Sequence, residues 1–441
     1  MISFVKRLRK SEKGSTLVIV GGALPLLVGA AGLATDTIQW ALWKRQLQRA
    51  ADSAAIAGVY TRVKNDDQTA VEGAVSDDLD LNQHTGIALL SEEDVQLPAD
   101  DGDKEDQVSV ALEIQKSLPF SSMFMTSAPI IRANATAASV PGTDEYCVIT
   151  LEKSATKTGI TIGGNTKIKM SCGMISNSPS SNSALSNGNS SSVEATVIAA
   201  VGGVQASTAW NVGKYDPYTT AAEDPYGAID PTATEMAHCA ANPPSAPSNG
   251  TIAGTNDLCY SDITQNNKTD VLDLGADRTI YITGKNANTA GSVNIHGTVK
   301  CERCTIVLTN KAIPNATAKI GTFDMQSDGQ LQISAPKDAA EKYKGIAVFQ
   351  DRRATDTNGT GSPNKFNGGG SQVIQGALYF PSQSVTYNGS GTATAVCTRF
   401  VTRRIIFSGN SSAENQFEKG SKCGEYGLDG VEGGRLVRLV A

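Results

Sequence analysis

Three groups of residues have the types and spacing that catalysis or metal binding would need. The first is Cys301-Glu-Arg-Cys304, a C-x-x-C spacing. That spacing suits a redox-active pair or half of a zinc site. Zinc would take two further ligands, and the nearest offers are His238, Cys239 and His296. No strand–helix–strand pattern surrounds the pair, so a structural disulfide is the expected reading. The second group is Asp324, Asp328, Asp351, Arg352 and Arg353. A polysaccharide lyase would need a basic residue beside acids, and a glycosidase two carboxylates at a set separation. These carboxylates are scattered where catalysis requires convergence, and Asp351 and Arg352 are expected to form ion pairs at a strand end. The third is the acidic stretch "LPADDGDKED". Its Asp101, Asp103, Glu105 and Asp106 lack the fixed spacing and distal Glu of an EF-hand, so a solvated loop is expected. His84, His238 and His296 are the three histidines of the chain. There is no G-x-S-x-G, no HExxH, no P-loop and no G-x-G-x-x-G ahead of a helix. The expectation is a chain that is not an enzyme, with no catalytic residues, no cofactor and no metal.

The cysteines carry more information as a set. All eight lie between Cys147 and Cys423, and the first third of the chain has none. An even count confined to one region is the pattern of disulfides made in an oxidising compartment. Sequential pairing is the simplest connectivity: Cys147 with Cys172, Cys239 with Cys259, Cys301 with Cys304, and Cys397 with Cys423.

The elements that must position these residues follow from composition. Hydrophobic residues make up 40% of the 441, enough for a core, while aromatics at 5% and charges at 19% are low for a soluble enzyme. The 43 glycines, with abundant Ser, Thr and Asn past Thr150, suit β-structure with many turns. A net charge of −6 without a basic stripe makes nucleic acid an unsuitable partner.

The N-terminal stretch "GSTLVIVGGALPLLVGAAGLAT" has no charge from Gly14 to Thr35. That is about the roughly 20 residues a membrane-spanning helix needs. Lys6, Arg7, Arg9, Lys10 and Lys13 precede it, which places the N-terminus in the cytoplasm and the remainder outside. A cleaved signal peptide is the alternative, with small residues placed for a cut after Ala34. Two features favour retention. The run exceeds a signal-peptide core, and helical periodicity continues past it through Trp40, Trp43, Leu47, Ala50, Ala54 and Ala57. Gly21, Gly22, Gly29 and Gly32 would allow close helix packing in the bilayer, and Pro25 should kink the span.

The block "KGSTLVIVGGALPLLVGAAGLATDTIQWALWKRQLQRAADSAAIAG" resembles the N-terminal segment of TadG-like proteins of the Flp (tight adherence) pilus system. The features that match are the basic start, the Gly before the apolar run, the "ALPLLVGAAGLATD" core, the aromatic after the Asp, and "LQRAADSAAIAG". The resemblance implies an inner-membrane-anchored envelope protein of a Gram-negative bacterium, whose partners are other Tad/Flp assembly proteins or pilin-like helices. After Gly14 the sequence reads Ser-Thr-Leu-Val-Ile, without the Glu usual at prepilin cleavage sites. That argues against prepilin-type processing. Nor is there the Asp-x-Ser-x-Ser loop of the von Willebrand factor A-type domain found in other members of the family.

Beyond the anchor, "NDDQTAVEGAVSDDLDLN" suits a short helix, "DQVSVALEIQ" alternates from Val108 to Ile114 as a strand does, and "PFSSMFM" suits a short helix before the strand "APIIRANATAASV". Past Tyr146, short apolar runs alternate with Gly, Asn and Ser. Such strands need stacking, which predicts a parallel β-helix or solenoid, with a β-sandwich as the alternative. The stretch from Gly203 to Gly250, rich in Pro, Tyr and Asp, is expected as an ordered excursion over the outside, stapled by Cys239 and Cys259. Gln350–Gln372 is expected as a mobile loop. "CVITL", "GIAVFQDR" and "GALYFPSQSVTYNG" are also similar to the C-terminal half of some TadG-like proteins.

The expected fold is therefore mainly β with an N-terminal transmembrane helix. The expected organisation is a basic cytoplasmic tail (1–14), a transmembrane and continuing pilin-like helix (15–60), a small α/β module (61–140) and a disulfide-bearing solenoid (141–441). The expected role is a structural component of Flp pilus assembly, single-pass in the inner membrane, with the C-terminal domain periplasmic or surface-exposed. A surface adhesin or minor pilin, and a carbohydrate-active β-helix enzyme, are the alternatives.

Overall fold

The computed structural model describes residues 12–81, 88–188, 190–313, 315–356, 363–367, 372–388, 393–395, 397–409, 412–415, 422–426, 428 and 432–440. His84 and much of the 350–372 loop (357–362 and 368–371) lie outside them. The chain divides into two units, residues 1–140 with 437–441, and residues 141–436.

The first unit is built on one long helix, α1 (Glu12–Arg62), which runs unbroken through Pro25. Its two halves meet different surroundings. From Ile19 to Leu33 the apolar side chains are exposed, Leu26 at 76% and Leu27 at 68%. From Leu47 to Val59 one face is buried: Leu47, Ala50, Ala51, Ala54, Ala55 and Val59 recur at helical spacing. That face packs on α2 (Gln68–Leu81) through Val71 and Val75. It also packs on an antiparallel sheet of β1 (Asp94–Gln96), β2 (Glu105–Gln115) and β3 (Ile130–Thr150). The alanines bring the helix close to the sheet, and at Gly58 an added Cβ would run into Val108. The alternation read over Val108–Ile114 is the buried face of β2, whose Val108, Val110, Leu112 and Ile114 all point to the helix side. The short helix expected at "PFSSMFM" is a single 3-10 turn, Ser121–Met123. Val440 donates its N–H to the Thr136 carbonyl, so the chain's last described residues lie on this sheet.

The second unit is mainly β, and among the described residues its strand pairs are parallel. An antiparallel sandwich would not produce that register; a solenoid-like stack of rungs does. One ladder of facing residues runs Ile280, Ile306, Val348, Leu378, Phe400, Val148, Met174, Ile198 and Tyr215. A second runs Ile295, Met325, Phe366, Tyr387, Phe407 and Ile162. Except for Tyr215 at the end of the first ladder, these side chains are buried. Each rung alone exposes its apolar face, and stacking removes that face from water.

The order of the ladders departs from the order of the chain. The chain enters mid-stack at Tyr146, coils to one end at strand Trp210–Pro217, and crosses to the opposite end, where Gly250–Thr251 and then Leu258–Tyr260 begin the return. It then winds back until strand Cys397–Phe407 pairs with Val148–Thr150 and Ile160–Ile162. Residue by residue, the crossing segment is tied to successive rungs. Ala222 exchanges two bonds with Asn177 (2.7 and 2.8 Å). Asp224 and Asp230 each pair with Arg352 at 3.0 Å. Glu235 pairs with Lys342, and the Cys239 and Ala240 carbonyls accept from Lys311. Ala246 donates to the Asp262 carbonyl (2.8 Å).

One segment differs from expectation. The 350–372 stretch is not all loop: Asn364–Phe366 is a strand of the stack. Phe366 stacks on Phe323, with centroids 4.7 Å apart. Asn364, fully buried, accepts from the Phe323 N–H and donates to Gln383 and the Ser384 carbonyl. A single Phe among Asn and Gly residues is too weak a periodic signal to read as a strand.

Candidate membrane-anchoring site

The residues singled out for chemistry are occupied in holding the fold. Asp351 pairs with Arg353 (2.7 Å) and accepts from the Thr309 hydroxyl (2.7 Å). Arg353 also donates to the Ala312 and Asn310 carbonyls. Arg352 reaches Asp224, Asp230 and the Tyr226 carbonyl, and lies over the Tyr379 ring. Adjacent in sequence, the two arginines serve different loops, and among the described residues the "QDRR" group converges on no open carboxylate pair. Asp324 sits on a strand of the stack and Asp328 in the turn that follows it, with a carboxylate oxygen 3.9 Å from His296 Nε2.

The cysteines are bonded as Cys147–Cys172, Cys239–Cys259, Cys301–Cys304 and Cys397–Cys423. Cys147–Cys172 joins neighbouring rungs, and Cys239–Cys259 joins the end of the crossing segment to the strand where the return begins. Cys301 and Cys304 flank Arg303, which sits at φ 52° beside Asp277 at φ 56° and binds it with two guanidinium nitrogens. His238 Nε2 lies 3.2 Å from Cys259 Sγ. That is a potential metal trio with Cys239, but its two sulfurs are bonded to each other and offer no thiolate. Asp101 closes a tight turn with Lys104, and Asp100 accepts from the Asp106 N–H (3.1 Å). The acidic stretch is thus held as a loop by its own backbone and by the Asp100 carboxylate.

Among the described residues, the first half of α1 keeps its large apolar side chains exposed from Ile19 to Leu33. The uncharged run from Gly14 to Thr35 measures about 33 Å at 1.5 Å per residue, against a hydrocarbon thickness of about 30 Å. Gly21, Gly22 and Gly29 face open space, and Pro25 has no N–H to offer the carbonyl one turn back. Gly32 is different: the Phe120 ring lies where its side chain would be. One turn on, buried Asp36 accepts three hydrogen bonds, from the N–H of Phe120 (2.9 Å) and from the N–H and hydroxyl of Ser121 (2.5 Å each). This carboxylate caps the 3-10 turn of the β2–β3 loop. Its partners, more than eighty residues away, leave no local signal in the sequence.

The fold and this site define a class: a mainly β protein with one N-terminal helix long and apolar enough to cross a membrane. Residues 14–62 match the family described as Flp pilus-assembly TadE/G-like, a match that covers α1 from Gly14 to its last residue. It supports a role related to pilus assembly. No curated protein and no solved structure matches the chain.

Proposed function

We propose that the chain is a structural component of Flp pilus assembly, held by α1 as a retained single-pass anchor in the inner membrane. The N-terminus lies in the cytoplasm, and the stacked β unit projects outward as a scaffold or contact surface for other Tad components. Residues 1–14 form the cytoplasmic tail, 15–60 the membrane and pilin-like helix, 61–140 the module at its exit, and 141–441 the disulfide-braced solenoid. The observation that carries this reading is the change of environment along α1. From Ile19 to Leu33 its large apolar side chains are exposed, whereas its second half is docked on the chain's own sheet. An exposed uncharged run of that length is stable in lipid and costly in water. Gly21, Gly22 and Gly29 give partner helices a smooth face for close approach.

Intact mass of the protein from membrane and sheared-surface fractions, with and without reduction, tests the proposal. A full-length chain in the membrane, gaining mass on reduction, supports it. A membrane-free chain beginning near Thr35 overturns it in favour of a secreted adhesin or enzyme. A start at Ser15 in the sheared fraction makes the chain a processed minor pilin.

A further inference from the structure

We propose that the β2–β3 loop, residues 116–129, is a second membrane contact. In this proposal Met123, Phe124 and Met125 sit in the outer headgroup region of the bilayer that α1 spans. The inference rests on the anchor reading and extends it to a surface outside the helix.

Depth is set by bonded geometry. Asp36 is the first charged residue after the uncharged run, and it holds the loop by the three bonds from Phe120 and Ser121. Gly32, against which Phe120 lies, is four residues inside the run, about 6 Å deeper along the axis. If α1 spans the bilayer, Phe120 is at its boundary. The hairpin approaches along the same path. Gln48 donates to the Asn134 carbonyl and Lys44 to the Arg132 carbonyl, so β3 runs alongside α1 with its first residues toward the span.

The chemistry of the loop fits lipid. Met123 and Phe124 are 75% and 74% exposed and Met125 is half-exposed, three consecutive large apolar side chains at a loop tip. The 116–129 stretch, "KSLPFSSMFMTSAP", has no acidic residue and one Lys, which suits an interface with anionic headgroups. Phe124 packs on Phe120 at 5.3 Å, so the tip is braced against the anchored turn. Half-exposed Trp40 lies one turn beyond Asp36 on α1, at the level where aromatic rings settle in headgroups. Helix and loop together would fix the height of the module above the membrane.

Site-directed spin labelling of the full chain in phosphatidylethanolamine–phosphatidylglycerol vesicles tests this. All eight native cysteines are disulfide-bonded, so an introduced thiol can be labelled without reduction. Labels are placed through Leu27→Cys, Phe124→Cys and Glu92→Cys, the last in an exposed segment of the same unit. The ratio of oxygen to nickel-chelate collisions reports depth. The expected result is a ratio at 124 about threefold or more above that at 92, with 27 higher still. A lipid-like ratio at 27 with a water-like ratio at 124 overturns the inference and leaves the anchor standing. A water-like ratio at 27 overturns the anchor itself. Shielding of 124 from both reagents, with dipolar broadening between copies, also overturns the inference and makes the loop a protein interface.

Discussion

Phe400 lies opposite Val148 in parallel register, although 252 residues separate them in sequence. The pair joins a late rung of the β unit to the rung the chain made first. The stack is therefore closed by its own chain in mid-length, and its two ends are strand Trp210–Pro217 and the first returning strands. Stability at this seam depends on a contact that forms only when nearly the whole unit has been made.

Phe400→Ala should therefore destabilise the β unit by about 3–5 kcal/mol, the usual cost of removing a buried aromatic. Phe400 is 3% exposed and packs on Tyr387 and Phe407. Urea unfolding followed by circular dichroism checks this, and a shift below about 1 kcal/mol would show that the seam is not a cooperative part of the stack.

Removal of the crossing-segment clamp should act locally. Arg352→Ala leaves Asp224 and Asp230 without their cation and should cost about 1 kcal/mol, the partly exposed pairs being screened. Limited proteolysis should then cut within residues 218–249 faster than in the native protein, with the circular dichroism spectrum unchanged. A loss of polysaccharide cleavage in this variant, without any gain in proteolysis, would instead favour the enzymatic alternative.

The disulfides should contribute unequally. Cys147–Cys172 closes a loop of sequence separation 25 and Cys301–Cys304 one of 3. Loop-closure entropy predicts about 3.5 kcal/mol for the first and about 1.5–2 for the second. Double serine variants compared by urea midpoint should fall in that order, and the reverse order would mean that strain or residual structure dominates.

Glu152 gives the β unit an acid limit. Burial alone would raise its pKa, but bonds from Arg403, the Ser154 N–H and Arg404 outweigh burial and hold it below the ordinary glutamate value of 4.5. Asp356 shares the same two arginines. A carboxylate depressed by folding contributes stability that is present above its unfolded pKa and lost as pH falls through the folded one. The native protein should thus hold its stability above about pH 5 and lose it progressively below that. Glu152→Gln should be less stable at neutral pH and flatter across the acid range, as measured by thermal unfolding from pH 3 to 7.

Much of the fold was legible because its signals are local. The uncharged run and the periodic alanines of α1, the alternation in β2, and the short apolar runs between Gly and Asn turns each follow from which side chain must leave water. The strand at Phe366 leaves no such signal, because one apolar residue has no period. Among the residues weighed for chemistry, Arg352 and Arg353 look alike in sequence. Only their partners, 122 to 128 residues away for Arg352 and 2 to 44 for Arg353, divide their roles.

By itself the sequence determined the class: an apolar helix with a basic flank, a resemblance to TadG-like segments, a cysteine set confined to one region, and a β unit that must stack. Those properties reside in composition and spacing, which act over a few residues. Tertiary structure decided the rest: that the stack begins in its middle, that residues 218–249 cross its outside, and that Asp36 ties a distant loop to the end of the span. Each depends on a pairing between segments far apart in the chain, where shape, register and hydrogen-bond geometry select the partner and no local pattern records the choice.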